Sequence, residues 1–156
     1  MIGAVQCIWI GVVGLAAACD HVFAVEAAEV KLSELSVGIA PFVIGPAVER
    51  KIGLSGFSQL AIDASYFRTA EWARRRGLYA ELHKTIEEMD EAIRTLLTTL
   101  VKRSPIAMAE MKKMFWQGTD HWDQLLLERA AISGKLVLTA FSKEAIAQFK
   151  AGRRDI

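Results

Sequence analysis

From residue 1 to residue 19 the chain carries no charged side chain, and its apolar positions run almost without a break. Such a run is either a leader or the inside of a fold, and its flanks decide between them. A secretory leader places Lys or Arg ahead of the apolar stretch, whereas the first basic residue here is Lys31. Ala16-Ala17-Ala18-Cys19 lacks the larger aliphatic residue that a lipoprotein cleavage site has three places before its cysteine. The run therefore predicts a buried strand over residues 4–10, a glycine-bearing turn, and a buried helix over residues 13–20. Beyond it, Val22, Phe23 and Val25, then Val30 and Leu32 alternating with Glu29 and Lys31, predict two short extended segments with a turn at Ala27-Ala28.

Gly38, Pro41, Gly45 and Pro46 then mark a loop, and residues 47–52 and 57–64 read as short helices separated by Gly53 and Gly56. Thr69 is placed to cap a helix over 70–76 that Gly77 closes, and residues 78–82 are short and strand-like. The strongest helical period lies at residues 84–103, where Ile86, Met89, Ile93, Leu96 or Leu97 and Leu100 recur at steps of three and four. Acidic residues crowd its start and Lys102-Arg103 its end, which suits the helix dipole. Ser104-Pro105 ends it. Helices over 106–117, 121–133 and 143–151 follow, the last capped by Ser142, and Arg153-Arg154-Asp155 reads as a frayed tail. A strand-rich, glycine-rich front thus precedes an all-helical back, an α/β arrangement with no internal repeat.

Composition narrows the function classes. The chain has 156 residues, enough to bury a core without metal or disulfide support, with 53% hydrophobic and 24% charged positions. Its net charge of +1 supplies no field for nucleic acid, so no nucleic-acid partner is expected. Cys7 and Cys19 sit in the apolar run without Cys-x-x-Cys spacing and are read as buried, reduced thiols. Asp120, His121 and Asp123 are close in sequence, but a helix points consecutive residues apart, so no metal is expected. Met108, Met111 and Met114, with Phe115, read as a packing stripe, and Arg74-Arg75-Arg76 as a solvated helix end. On the residues alone, Glu34 is either a solvated loop carboxylate or a half-buried acid/base, and Gly11 either a turn glycine or a point of close backbone approach.

The order of segments settles more than any one residue. Gly11-Val12-Val13-Gly14-Leu15-Ala16-Ala17-Ala18-Cys19-Asp20 is followed fourteen residues later by Glu34, within Leu32-Ser33-Glu34-Leu35-Ser36-Val37-Gly38-Ile39-Ala40-Pro41. Thr69-Ala70-Glu71, Ala73, Gly77-Leu78, Ser104-Pro105, Ala107, Lys112, Lys143-Glu144 and residues 149–153 continue the series. Collinear along nearly the whole chain, these resemble the C-terminal part of the crotonase (enoyl-CoA hydratase/isomerase) family, in detail most similar to its bacterial methylglutaconyl-CoA hydratase-like members. The resemblance implies a truncated crotonase-like spiral core over residues 1–103 and a helical oligomerisation region over 104–156. It implies a cytoplasmic, membrane-free protein of fatty acid metabolism that assembles as a trimer or hexamer, Trp116 and Trp122 serving the interface.

The implied chemistry is proton transfer beside a thioester carbonyl, which builds negative charge on an enolate oxygen. By resemblance the N–H of Gly11 holds that oxygen and Glu34 moves the proton. Coenzyme A enters only as part of an acyl-CoA substrate, with no separate cofactor. The family's hydratases use two glutamates, and the position of the first is Gly14 here. A single carboxylate shifts the expectation toward double-bond isomerisation. Only one of the usual three glycines remains at Gly11, Phe42 stands where many hydratases have glycine, and the segment carrying the second oxyanion N–H has no counterpart. The other implied reading is thus a catalytically inactive crotonase-like chain or an assembly partner.

Overall fold

The structure, a computed structural model, describes residues 1–6 and 12–152. Three strands form one parallel sheet: β1 (Ile2–Val5), β2 (His21–Val25) and β3 (Glu81–His83), in that order. Ile2 pairs with His21 and Val5 with Ala24, while Phe23 pairs with Glu81 and Val25 with His83. Parallel neighbours need a crossover, and α1 (Val12–Ala18) supplies it between β1 and β2. The described parts of the apolar run therefore contribute to the inside of the fold. Val13, Ala16 and Ala17 of α1 are buried, as are Val22, Phe23, Ala24 and Val25 of β2. Strands of a parallel sheet covered on both faces read as unbroken apolar segments, which is why the pattern was so dense. Among the described residues no helix is long and apolar enough to cross a membrane.

The predicted strand over 4–10 is found earlier, at Ile2–Val5; Gln6 lies beyond its end, and residues 7–10, Cys7 included, lie outside the described residues. Of the two extended segments after residue 20, only the first is a ladder strand. Val30 instead makes an isolated antiparallel bridge with Arg68. The helices expected on either side of Gly53 appear as α2 (Gly45–Ile62), broken at Gly53, whose φ of 72° and ψ of 162° are non-helical. The residues around Gly56 are helical, so the break needs one glycine rather than two. Thr69 caps α3 (Ala70–Arg75) by accepting from the Trp72 N–H at 3.2 Å, and Gly77 follows with φ 82°. The strand-like stretch sits slightly later than its pattern suggests, because Leu78 and Tyr79 are packed into the core as loop residues.

Helix α4 (Ile86–Leu100) is capped by Thr85, which accepts from Glu88 N–H, while the Glu88 carboxylate accepts from Lys84 N–H. Its inner face is Met89 with Ala92, Ile93 and Leu96 against it, whereas Ile86 and Leu97 remain exposed. Helices α5 (Pro105–Phe115), α6 (Trp122–Leu136) and α7 (Ala140–Lys150) complete the chain. The cap of α7 is Thr139, not Ser142. Thr139 Oγ1 accepts from the Ser142 N–H, and Ser142 lies one turn inside with no exposed surface. Arg153, Arg154 and Asp155 lie outside the described residues.

The back half is fastened to the sheet at Asp20, directly after α1. Its carboxylate accepts from Lys112 Nζ at 2.7 and 2.8 Å and from Trp116 Nε1 at 3.0 Å, and it pairs with the Met1 amino group. Burial alone would push this carboxyl up, but the bonds from Lys112, the amino group and Trp116 outweigh it and hold Asp20 well below the usual carboxylate range. Trp116 also lies under Arg50 and Lys112 and edge-on to Trp122 at 5.8 Å. Asp20→Asn is expected to cost about 1–3 kcal/mol, because it leaves Lys112 unpaired in a half-buried site. A depressed carboxyl contributes stability above its unfolded value, lost as the pH falls below it. Urea unfolding of wild type and variant at pH 7 and pH 3 should therefore show a difference that shrinks in acid; equal midpoints at pH 7 would remove Asp20 from this role.

Candidate active site

Parallel pairing of β1 with β2 sends both strands out of the same sheet edge, and in such sheets that carboxyl edge is where loops gather for chemistry. The loop after β2 is held firmly over most of its course. Tyr79 Oη donates to the Ala28 carbonyl at 3.2 Å, and Val30 and Arg68 exchange backbone bonds of 2.8 and 2.9 Å. Lys31, Leu32 and Ser33 are buried, with Lys31 Nζ over the Phe67 ring at 4.1 Å. The chain then enters a single 3-10 turn, Glu34–Val37, closed by Gly38 in the left-handed region at φ 76°. Gly38 N–H donates to Leu35 O and Ile39 N–H to Glu34 O, each at 3.1 Å.

Glu34 opens that turn. It is half-buried, and one carboxylate oxygen, Oε2, is shielded from water without a hydrogen-bond partner. No cation forms an ion pair with it among the described residues. Burial pushes its carboxyl up from the ordinary glutamate value, only partly offset by its own backbone N–H. A buried acceptor without a donor is costly in a purely structural role, and a carboxyl raised by desolvation is suited to exchanging protons. This distinguishes Glu34 from the ordinary solvated loop carboxylate.

Gly11, the other expected site residue, lies outside the described residues. Val12, the first residue of α1, follows it directly. Gly14 is one turn into α1 and faces the start of α2. A Cβ there would stand 2.6 Å from Ile44 Cγ2 and 3.0 Å from Ile44 Cβ. The missing second carboxylate is therefore matched by packing: Ile44 occupies the space that any side chain at position 14 would enter. A glutamate at this position cannot simply restore a second base. Nearby, Arg129 Nη1 donates to Phe42 O at 3.4 Å, drawing α6 onto the loop before α2.

Of the methionine stripe, Met108 and Met111, with Phe115, line an open cleft of about 490 Å³ with Ile2, Leu96 and Leu100, while Met114 is exposed. No group of three or more His, Cys, Asp or Glu among the described residues could hold a metal. The Asp20 cluster was missed as a structural hub. Lys112 and Trp116 are 92 and 96 residues away from it in the chain, a separation that local periodicity does not bridge.

The family model for enoyl-CoA hydratase/isomerase matches residues 2–153, so the chain belongs to that family. No curated protein matches. Among solved structures, an enoyl-CoA hydratase/isomerase from Pseudoalteromonas atlantica T6c is 16% identical with a TM-score of 0.84, covering 98% of this chain and 62% of its own. An enoyl-CoA hydratase from Mycobacterium avium is 23% identical with a TM-score of 0.83, over 98% of this chain and 59% of its own. A protein described as a putative polyketide biosynthesis enoyl-CoA hydratase from Bacillus subtilis is 20% identical with a TM-score of 0.81, over 99% and 61%. The fold is crotonase-like α/β, and the chain spans about three fifths of the length of these structures.

Because Ile44 closes on Gly14, Gly14→Ala is expected to destabilise the protein by about 1–3 kcal/mol, the usual cost of overpacking. Ile44→Ala in the same chain should recover part of that loss. Denaturant titration of both single variants and the double variant checks this, and strictly additive effects would show that the two positions do not share the space.

Proposed function

We propose that this chain carries the proton-transfer half of an acyl-CoA hydratase/isomerase site, with Glu34 as acid/base and the N–H of Gly11 as one donor to an enolate oxygen. The observation that supports this best is the buried, partnerless Oε2 of Glu34 on a loop leaving the sheet's carboxyl edge. The substrate is an acyl-CoA thioester, and coenzyme A is its handle rather than a separate cofactor. With position 14 closed by Ile44, Glu34 is the lone carboxylate of the proposal. One carboxylate that takes a proton from one carbon and returns it to another performs double-bond migration. Hydration also requires water to be oriented and deprotonated. The rival reading is a non-catalytic assembly partner, favoured by the exposed apolar residues of the back half, among them Ile106, Leu127, Leu138 and Phe149.

Conversion of 3-enoyl-CoA to 2-enoyl-CoA is the decisive assay, with crotonyl-CoA hydration run beside it. Glu34→Gln should lower isomerisation on the order of 100- to 10,000-fold, the usual contribution of a positioned acid/base. A base must be ionised, and burial raises this one, so activity should fall on acidification at a pH above the ordinary glutamate range. The same shift means the native state binds the proton more tightly than the unfolded chain, so stability declines as pH rises through that window. Glu34→Gln should therefore unfold at a higher temperature than wild type at pH 7. Isomerisation that survives Glu34→Gln would refute the assignment. Absence of turnover in the folded wild type would favour the assembly partner.

The same apolar faces of α5, α6 and α7 are proposed to associate with further copies of the chain, as a trimer or hexamer. Light scattering should then give a mass that is a multiple of 17.2 kDa. A clean monomer across the accessible concentration range would count against self-association.

A further inference from the structure

The turn that bears Glu34 is too short to hold itself. It spans four residues, and α2 and α7 are the helices packed on it. On the α2 side the recorded tether is weak, a 3.5 Å bond from Ser36 Oγ to the Ala64 carbonyl just beyond the helix. On the α7 side the approach is much closer. A Cβ placed on Gly38 would stand 2.5 Å from Phe141 Cδ1 and 2.6 Å from Ser142 Oγ. Ser142 and Ala145 are wholly or almost wholly buried on the face of α7 turned inward, and Thr139 fixes the start of that helix by bonding Ser142 through both its N–H and its hydroxyl. Glycine at 38 is thus required twice: by its φ of 76° and by the seat it leaves for α7.

We infer that α7 is the brace of the Glu34 turn, with Gly38, Phe141 and Ser142 as positioning residues that hold the turn shut and keep water from the Glu34 carboxylate. This rests on the reading of Glu34 as acid/base only for its relevance to turnover; the brace itself is a statement about the turn. Two bonds report directly on it, from Gly38 N–H to Leu35 O and from Ile39 N–H to Glu34 O. Both lie in the segment that α7 covers. Lys143, the cation at the start of α7, is exposed and forms no ion pair with Glu34, so α7 acts through contact and exclusion of water rather than through an ion pair.

The test uses the full chain and needs no turnover. Ser142→Leu adds bulk where no space remains and should lift α7 off Gly38, while Ser142→Ala keeps the seat. Phe141→Ala removes the ring over Gly38 without adding bulk, and carries the test if Ser142→Leu does not fold. Amide hydrogen exchange at Gly38 and Ile39 should quicken by about tenfold or more in Ser142→Leu and in Phe141→Ala, and stay near wild type in Ser142→Ala. The Glu34 carboxyl, followed by carbon NMR with Glu34→Gln for assignment, should titrate lower in the two opened variants, toward the ordinary glutamate value. Unchanged exchange and unchanged titration in a folded opened variant would overturn the brace. Turnover is measured separately: if the brace is confirmed by exchange and titration but Glu34→Gln leaves isomerisation intact, the reading of Glu34 fails and the brace stands.

Discussion

Strand β2 has to be hidden on both faces. Val22, Phe23 and Ala24 have no exposed surface, and a three-stranded parallel sheet offers no way to bury them except by helices above and below. From that follow the crossover through α1, the stacking of α2 on α1, and the docking of α4 through Met89 on the sheet. It also sets the placement of the chemistry. Since β1 and β2 run the same way, the loop that leads to Glu34 leaves the sheet at the edge where β1 also ends.

Close packing then limits what that edge can hold. The α1 and α2 helices approach so tightly at Gly14 that Ile44 fills the space a side chain would need. A side chain at position 14 would require the Ile44 side chain to shift, so the absence of a carboxylate there goes with the packing of the two helices. Glu34 lies on the more tolerant side, on a turn outside the tight helix pair, where desolvation changes its acidity without breaking the core.

Electrostatics connects the two halves of the chain at a different point. Asp20 collects Lys112, Trp116 and the amino terminus at the start of β2, while α7 returns to the other end of that strand's loop, over Gly38. The helical back half is consequently attached by polar bonds at Asp20 and at the Phe42 carbonyl, and by shape over Gly38. Helices α5 and α6 bury no residue fully and leave apolar side chains on their surfaces, and Met108 and Met111 line an open cleft.

Local chemistry in the sequence was enough to determine the helices of the back half and most of their starts. Thr69 caps where its spacing placed it, and Gly53 and Gly77 interrupt or close helices with positive φ where the sequence put a break and a C-cap. Of the apolar first segment, Val5, Val13, Ala16, Ala17 and Cys19 are core residues, in keeping with the uncharged pattern. Tertiary structure alone decided the features that depend on residues distant in the chain. Val30 became a bridge to Arg68 instead of a strand, Ser142 became a buried contact instead of a cap, and Trp116 was drawn to Asp20 across 96 residues. For the site, the order of motifs along the chain singled out Glu34, yet its half-burial, its unpartnered oxygen and the closure of position 14 by Ile44 are tertiary features, since desolvation is a property of neighbours that one-dimensional spacing does not record.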